Sequence, residues 1–562
     1  MYFGKRLRAR TEKVLCRLFK EDFSVADVFE FEKARCPENA GVDSKEIVEF
    51  FNDMKENGLE FHSFMVVRNG KIACEFYRAP FNAETPHSVY SVSKSFTSTA
   101  VGIAIGEGYF SLDTRLVDIF PEYDTGDERL GKITVRHLVT MTAGKQPDMF
   151  ADKGKIDWIK DYFNAPWYGE PGVFRYVNEN IYMLSAIIMR TTGMSVRQFL
   201  TPRLFEPLGI DVPFWETDKN GIEAGGWGLY IKLRDLAKLM YCYSHGGKAG
   251  DKQLIPEAWV KDASVAHSDS SICIPLDNSD GYGYCFWRCG GCRDSFRADG
   301  MFSQFGIVFE KEDAMVISMG GIADEQTARD CIWRHFPKAF IEPDKRAKKS
   351  PVPEFSALAE KFPVDVPVRS FHNLREAKLN NSTIKVRKKI FLNLIGFPVS
   401  VLPIAVTFMT TDKAGNIDNI NLDFKDDRCV MSWTEGDESN TVECGMEGRL
   451  IYGNMTLGGI DYTVCCSAQW TGDDDLRIDI RPVTTIAKRR LDFSFKGDSF
   501  VKIKPTSTPA VEDIARTLLV SLNELLPKGE LTEKFMSLAR KAVALVPPIV
   551  EPTHKGRLVK RK

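Results

Sequence analysis

Residues 85–98 read "TPHSVYSVSKSFTS" and place five serines and one lysine in fourteen positions. They lead directly into "TAVGIAIGEGY" (99–109), whose small and apolar residues predict a buried helix. Hydroxyl side chains are poor helix formers because they compete for backbone hydrogen bonds. Their concentration at the beginning of a buried helix indicates that at least one of these serines has a chemical role.

Ser91 is the serine best placed to act as a nucleophile. A serine hydroxyl reacts weakly until a neighbouring base removes its proton. Residues three apart on a helix share a face, and Ser91 and Lys94 have that spacing, whereas Ser93 and Ser95 lie next to Lys94 and point away from it. Burial should lower the pKa of Lys94 toward neutrality, so that its amine can act as a base. The S-x-x-K spacing also occurs by chance on surface helices, so it does not decide the function alone.

Two later stretches offer groups that could complete such a site. Residues 171–188 contain Tyr176 and Asn178 as Y-x-N, between a Pro-Gly turn and a predicted helix. A tyrosine hydroxyl can relay a proton, and an asparagine amide can hold both a lysine and a substrate carbonyl. In "RADGMFSQFGIVFE" (297–310), Gly300 would let a substrate approach a strand closely. The alternatives are that the tyrosine only anchors its turn and that the glycine only belongs to a hairpin.

The composition limits the classes of protein to which the chain can belong. Its 562 residues should contain two or three domains, and its 43% apolar and 27% charged residues are typical of globular proteins. Lys plus Arg (75) nearly balances Asp plus Glu (77), so no global field attracts nucleic acid. The sequence shows no apolar segment of signal-peptide or membrane-span length, which predicts a cytoplasmic protein with no membrane partner. The longest apolar stretch (391–406) is interrupted by Gly and Pro and predicts a pair of buried strands.

The cysteines do not indicate a disulfide framework or a metal site. Thirteen scattered cysteines, an odd number, are typical of reduced thiols. Cys285, Cys289 and Cys292 cluster in "CFWRCGGC", but a metal would need a fourth ligand nearby. We therefore expect a hairpin at the Gly-Gly pair and no metal.

The first part of the chain predicts an α+β fold. Strands are expected at both of its ends and helices between and after them, which favours one antiparallel sheet flanked by helices with a mostly helical insertion. The predicted elements are a helix (44–60), a hairpin around Asn69-Gly70 (63–77), a mostly helical region (85–265), strands at 281–287, 295–299, 304–310 and 314–321, and a helix (324–336).

The second part of the chain changes to a period of two, which indicates strands with one buried face. We expect an antiparallel β domain there, followed by two amphipathic helices and a basic tail that is solvated and disordered. The predicted organisation is an N-terminal extension (1–43), a catalytic domain (44–341), a linker (342–364), a β domain (365–505), and C-terminal helices with the basic tail (506–562).

The motifs together resemble the serine β-lactamase/penicillin-binding-protein superfamily. The branch is that of class C β-lactamases, D-aminopeptidases, family VIII esterases and 6-aminohexanoate-oligomer hydrolases. "ITVRHLVTMTAG" (133–144) and "AGGWGLYIKLRDLAKLMYCY" (224–243) resemble further elements of that family. The likeness covers about residues 45–340 and implies a β-lactamase-like fold without a cofactor. The β domain resembles the lipocalin-like domains that follow the catalytic halves of some relatives.

The resemblance also implies a role for each site residue. Ser91 would be the acylated nucleophile, Lys94 its base and Tyr176 the proton relay to the leaving group. Asn178 would orient the substrate carbonyl. The backbone N–H groups of Ser91 and Met301 would form the oxyanion hole.

The third motif departs from the family pattern. The β-lactamases of the family carry Lys-Thr-Gly and many relatives carry His-x-Gly, whereas this chain has Ala298-Asp299-Gly300. The cation that would bind a substrate carboxylate is missing, which argues against penicillins, cephalosporins and D-Ala-D-Ala peptides. Esters, amides without that carboxylate, and amine-bearing substrates that could pair with Asp299 remain. Asp299 could equally point into solvent.

The sequence therefore predicts a serine hydrolase that cleaves a small ester or amide. Its expected partner is this small-molecule substrate, and the sequence is compatible with a homodimer. The alternative is a non-catalytic ligand-binding or sensing protein that kept the fold. A Ser-His-Asp hydrolase is a weaker option because no G-x-S-x-G motif occurs. His87 is expected to be a loop residue and His137 a structural one.

Overall fold

The structure is a computed structural model that describes residues 28–146, 157–273, 276–360, 372–387, 417–435, 438–457, 460–513, 515–516, 519, 529–545, 547–548 and 551–561. Helices surround a sheet in the first part of the chain, and a second sheet begins after residue 380.

The strands of the first part alternate with stretches of helix. In chain order they are Glu32–Lys33 (β1), Phe61–Arg68 (β2), Lys71–Tyr77 (β3), His87–Ser88 (β4), Phe214–Trp215 (β5), Leu229–Ile231 (β6), Lys248–Ala249 (β7), Lys252–Gln253 (β8), Trp287–Arg288 (β9), Ser295–Gly300 (β10), Gln304–Phe309 (β11) and Ala314–Gly320 (β12).

The helices vary from single turns to four turns. They are Ser44–Glu56, Ser93–Gly106, Leu116–Ile119, Val135–Val139, Trp158–Asn164, Asn178–Thr192, Val196–Leu200, Leu233–Ser244, Glu257–Ala263, Glu325–His335, Pro353–Glu360, Glu376–Leu379 and Glu530–Ala542. Shorter 3₁₀ turns lie at Pro37–Ala40, Tyr90–Val92, Pro121–Tyr123, Leu130–Lys132, Leu276–Asn278, Glu310–Glu312 and Val543–Leu545, and a π turn at Thr201–Phe205.

The main sheet of the first part combines strands from both of its ends. Its order is β1-β3-β2-β12-β11-β10-β9. All neighbours in it pair antiparallel except β1 and β3, which run parallel. The sheet is thus built from both ends of this part of the chain, as predicted. The parallel pairing of β1 with β3 at one edge was not predicted. The hairpin turn is also where the sequence places it, since Asn69 (φ 51°) and Gly70 (φ 69°) adopt the left-handed backbone that a two-residue turn requires.

Helices cover both faces of this sheet. Met240 of the Leu233–Ser244 helix packs in one hydrophobic cluster with Met65 and Ile317. On the other face, Phe50 and Ile332 share a cluster with residues of the same strands. Because both faces are covered, the central strands β2 and β12 are buried almost throughout.

The Ser93–Gly106 helix lies inside the helical part of the fold. Twelve of its fourteen residues are buried, and it packs against the Asn178–Thr192 helix. A side chain at Gly102 would place its Cβ 2.3 Å from the Trp259 ring, so only glycine lets the two approach. This packing fixes the position of the helix that follows Ser91.

The second sheet is closed and barrel-like. Its strands are Ser382–Val386 (β13), Ile417–Phe424 (β14), Arg428–Glu435 (β15), Glu438–Gly445 (β16), Ile451–Leu457 (β17), Ile460–Trp470 (β18), Asp475–Pro482 (β19), Lys488–Lys496 (β20), Phe500–Thr508 (β21) and His554–Lys560 (β22). The order is β16-β15-β14-β13-β22-β21-β20-β19-β18-β17, and a parallel bridge from Gly445 to Ser467 joins β16 to β18. This bridge closes the sheet. The closed sheet, which we call the β body, is therefore not purely antiparallel.

The structure corrects three predictions made from the sequence. The basic stretch that we expected to be a disordered tail forms β22, which pairs with β13 and β21 inside the closed sheet. The strand expected at 281–287 is reduced to Trp287–Arg288. The regular α-helix begins at Ser93, so Ser91 lies in the preceding 3₁₀ turn. The apolar stretch 391–406 lies outside the described residues.

Within the described ranges, no helix combines the length and the apolar character that crossing a membrane requires.

Candidate active site

Ser91 is held at the point where the sheet meets the helical region. The Tyr90–Val92 turn carries it, and the end of strand β10 lies against this turn. A Cβ at Gly300 would lie 2.3 Å from Val89 O and 3.3 Å from Ser91 N. Gly300 is therefore required because strand β10 passes too close to the backbone before Ser91 for any side chain.

The Lys94 amine lies among three oxygen atoms. Its Nζ is 2.8 Å from Ser91 Oγ, 2.7 Å from Asn178 Oδ1 and 2.7 Å from the carbonyl oxygen of Gly226. The residue is 1% exposed. Burial lowers the pKa of Lys94 to about 7, since the charged form loses its hydration. A large share of the molecules therefore carry an uncharged Lys94 near neutral pH.

These three partners decide where the lone pair of an uncharged Lys94 points. The oxygens of Asn178 and Gly226 can only accept hydrogen bonds, so each takes one of the two N–H groups of the neutral amine. The Ser91 hydroxyl can donate as well as accept. The remaining lone pair of Lys94 therefore faces the Ser91 hydroxyl, which is the arrangement that a general base needs.

Tyr176 lies on the other side of the same two groups. Lys94 Nζ is 4.8 Å from the centroid of its ring, and the ring stacks on Trp287 at 5.5 Å. Burial raises the pKa of Tyr176, and a hydrogen bond with Ser91 only partly offsets this rise. Tyr176 is therefore a neutral phenol at physiological pH, with a hydroxyl that reaches Ser91.

Asn178 begins the helix Asn178–Thr192 and brings that helix to Lys94. The third partner of Lys94, the Gly226 carbonyl, was not predicted from the sequence. A Cβ at Gly226 would lie 2.9 Å from Asn178 O, so only glycine allows this contact. The cluster of Gly225, Gly226 and Gly228 is a signal of close backbone approach that could have pointed to it.

Asp299 is largely withdrawn from solvent and paired with two arginines. Its Oδ2 accepts hydrogen bonds from Arg297 Nε at 2.6 Å and from Arg329 Nη1 at 3.4 Å, and its side chain is 9% exposed. The expectation that it could point into solvent is wrong. Its charge is used to hold two arginines that are themselves buried. Arg329 lies on a distant helix, so no local pattern could reveal this pairing.

Glu325, which was not predicted from the sequence, supports the turn that follows Gly300. Its Oε1 accepts a hydrogen bond from the backbone N–H of Phe302 at 2.6 Å. Burial and the charge of Asp299 raise the pKa of Glu325, while Arg329, 3.5 Å away, opposes the rise. This contact fixes the backbone beside Met301, which lies partly buried in the same turn.

The remaining candidate residues have structural partners. His87 lies in strand β4, with its ring nitrogens 3.0 Å from His62 Nδ1 and 2.8 Å from Ser88 O. His137 accepts a hydrogen bond from Thr134 N at the beginning of its helix.

The cysteine cluster lies around the predicted Gly-Gly hairpin. Strands β9 and β10 pair antiparallel across it, so this hairpin prediction is confirmed. Cys285 and Cys289 are buried and Cys292 is half-buried. Burial raises the pKa of the Cys285 thiol to about 12, which keeps it protonated.

Comparison with known proteins matches residues 50–320 to the family described as Beta-lactamase. The 6-aminohexanoate-dimer hydrolase of Paenarthrobacter ureafaciens is 23% identical over 290 residues, which cover 47% of this chain and 74% of that protein. A Beta-lactamase of Escherichia coli (strain K12) is 31% identical over 137 residues, covering 24% of this chain and 36% of that protein. Among solved structures, a putative 6-aminohexanoate-dimer hydrolase from Bacillus anthracis is 20% identical, with a TM-score of 0.46, covering 56% of this chain and 89% of that one.

Proposed function

We propose that the protein cleaves a small ester or amide through an acyl-enzyme on Ser91, starting from the match of residues 50–320 to the family described as Beta-lactamase. The observation that carries the proposal is the buried Lys94 amine, 2.8 Å from the Ser91 hydroxyl and surrounded otherwise by acceptors.

In the first step, Ser91 Oγ attacks the substrate carbonyl carbon and its proton passes to the neutral Lys94. The carbonyl π electrons move to the oxygen, which becomes a tetrahedral oxyanion. When the C–O or C–N bond to the leaving group breaks, the electron pair leaves with that group, which takes a proton through the Tyr176 hydroxyl. Lys94 resupplies this proton and is neutral again, and the acyl group remains on Ser91 Oγ.

The oxyanion is assigned to the backbone N–H groups of Ser91 and Met301. The support is the close approach of Gly300 to the Ser91 backbone, which brings the residue after Gly300 beside the nucleophile. The hydrogen bond from Phe302 to Glu325 holds the same turn. A donor that is already positioned costs no reorganisation when charge develops.

In the second step, water attacks the acyl carbon. Its proton passes to the Lys94 and Tyr176 pair and then to Ser91 Oγ as the acyl bond breaks. The products are a carboxylic acid and the regenerated hydroxyl. The neutral phenol of Tyr176 suits this role because it can accept and donate a proton in one event.

The substrate class follows from the charges around the site. Ala298 stands where the β-lactamases of this family carry the motif lysine, and the neighbouring arginines Arg297 and Arg329 are buried against Asp299. Neither can serve as an exposed binding group for a substrate carboxylate. This favours esters and amides without that carboxylate over β-lactam antibiotics.

The proposal is tested by hydrolysis of a panel of p-nitrophenyl esters, amino-acid p-nitroanilides and a chromogenic cephalosporin. We expect the esters or anilides to be turned over, the cephalosporin to be a poor substrate, and Ser91→Ala to abolish turnover. A ligand-binding or sensing protein that kept the fold would instead bind members of the panel without turnover, and binding would survive Ser91→Ala.

A further inference from the structure

A cluster of phenols around one carboxylate lies beside Ser91. We call it the phenol pocket and define it as Tyr90, Glu216, Tyr230 and Tyr462. Tyr230 Oη donates a hydrogen bond to Glu216 Oε1 at 3.4 Å. Glu216 and Tyr230 are partly exposed, so a ligand can reach them, whereas Tyr90 is 3% exposed.

Tyr90 has two features that structural packing does not explain. Its hydroxyl oxygen is buried and has no hydrogen-bond partner among the described residues. Its φ of 46° is left-handed, a conformation that strains a residue with a side chain. Such strain is typical of residues at functional sites. The ring packs at 5.3 Å against Phe302, in the turn that follows Gly300.

Glu216 differs in its partners from two other carboxylates that are largely withdrawn from solvent, Glu75 and Glu223. Glu75 is paired with Arg234 at 2.6 Å, and Glu223 accepts hydrogen bonds from Ser195 and Val196. No described cation pairs with Glu216. Burial raises the pKa of Glu216 to about 7, and only hydrogen bonds from Tyr230 and Trp227 oppose the rise.

The β body supplies one side of this pocket. Thr484 O accepts a hydrogen bond from Ser88 N at 2.8 Å, three residues before Ser91. Ile486 packs in one cluster with Tyr90 and Phe302. Burial and the charge of Glu216 raise the pKa of Tyr462, which lies in strand β18. The β body therefore contacts residues next to Ser91.

We propose that the phenol pocket binds the positively charged amine of the substrate. This rests on the proposed function, because it assigns a charge to the substrate of Ser91. An ammonium group would give Glu216 the counter-ion that it lacks. It would also lie against aromatic faces, which attract cations whether or not they carry N–H groups. A neutral hydroxyl or amide would leave Glu216 without a counter-ion.

Two esters of the same shape test this assignment. In p-nitrophenyl 4-(trimethylammonio)butanoate the acyl group ends in a quaternary ammonium, and in p-nitrophenyl 5,5-dimethylhexanoate a carbon replaces the nitrogen. We expect kcat/KM to be about tenfold or more higher for the cationic ester. Glu216→Gln should bring the ratio near one, and Tyr462→Ala should lower it.

Glu325→Gln is the matched control, since Glu325 is also a buried carboxylate near Ser91 but already has Phe302 and Arg329 as partners. It should leave the ratio within about twofold of wild type, whatever its effect on the overall rate. A ratio near one in the wild type, with both esters hydrolysed through Ser91, would overturn the pocket assignment and leave the proposed function intact.

If neither ester is hydrolysed, the proposed function is refuted but the pocket assignment is not. Calorimetry with butyltrimethylammonium then tests whether the phenol pocket binds a cation. We expect the cation to bind wild type and to release a fraction of a proton near pH 7, because it favours the ionised form of Glu216. Binding should be lost in Glu216→Gln. Equal binding to both proteins, or none to wild type, would overturn the inference.

Discussion

The Nζ of Lys94 lies 2.8 Å from the Oγ of Ser91, and the other two oxygens around that amine can only accept hydrogen bonds. Of these three oxygens, only that of Ser91 carries a proton that it can give to the neutral amine. This is the structural basis for distinguishing Ser91 from the other serines of the same stretch.

The pH dependence of ester hydrolysis should report the protonation of Lys94. Burial lowers the pKa of Lys94 to about 7. The lysine is a base only when uncharged, so kcat/KM should rise through pH 7 and level off above it. Lys94→Arg, which stays protonated, should lower kcat/KM by about a hundredfold or more. A pH-independent rate between pH 5 and 9 would contradict this role.

Ser93 is expected to be structural although it lies two residues from Ser91. Its Oγ donates to Tyr90 O at 2.6 Å and accepts from Leu229 N at 3.2 Å. Ser93→Ala should therefore keep most of the hydrolytic activity and lower the free energy of unfolding by about 1–2 kcal/mol. Urea unfolding and ester hydrolysis, measured beside Ser91→Ala, separate the two roles. Loss of activity in a Ser93→Ala protein of unchanged stability would refute the assignment.

Asp299 should matter for stability. Asp299→Ala leaves Arg297 and Arg329 buried without one of their acceptors, which should cost about 3–5 kcal/mol of the free energy of unfolding. Asp118→Asn is the matched control because Asp118 pairs with Arg115 on the surface and should barely change stability. Urea unfolding of both variants gives the comparison. Equal stability of Asp299→Ala and wild type would show that the arginines find other partners.

The last described strand should be required for the β body. Removal of residues 554–562 deletes β22 and separates β13 from β21. We expect a lower melting temperature and proteolytic cleavage after residue 372. Lys555→Ala, which changes an exposed side chain of the same strand, should change neither. If the shortened chain melts as wild type does, the strand is not part of the closed sheet.

The local parts of the site could be predicted from the sequence. The spacing of Ser91 and Lys94 follows from helix geometry, and the hairpin at Asn69-Gly70 follows from turn chemistry. The pairing of Asp299 with Arg329 could not be predicted, because Arg329 comes from a helix thirty residues later and only the folded chain brings the two together.

The error at the C-terminus has a physical cause. In "HKGRLVK" the basic residues Lys555 and Arg557 face solvent while His554 and Gly556 are buried. Four of the seven residues are charged or ionisable, and no large apolar residue marks the buried positions of the first half of the strand. Buried and exposed positions do alternate in this strand, but the alternation does not appear as a pattern of apolar and polar residues.

The most direct test of the central claim is the site of covalent modification. The protein is incubated with a fluorophosphonate, digested, and analysed by peptide mass spectrometry. We expect the phosphonyl adduct on the peptide that contains Ser91, assigned to Ser91 by fragmentation and absent from Ser91→Ala. An adduct on another residue, or an equal adduct in Ser91→Ala, would contradict the account.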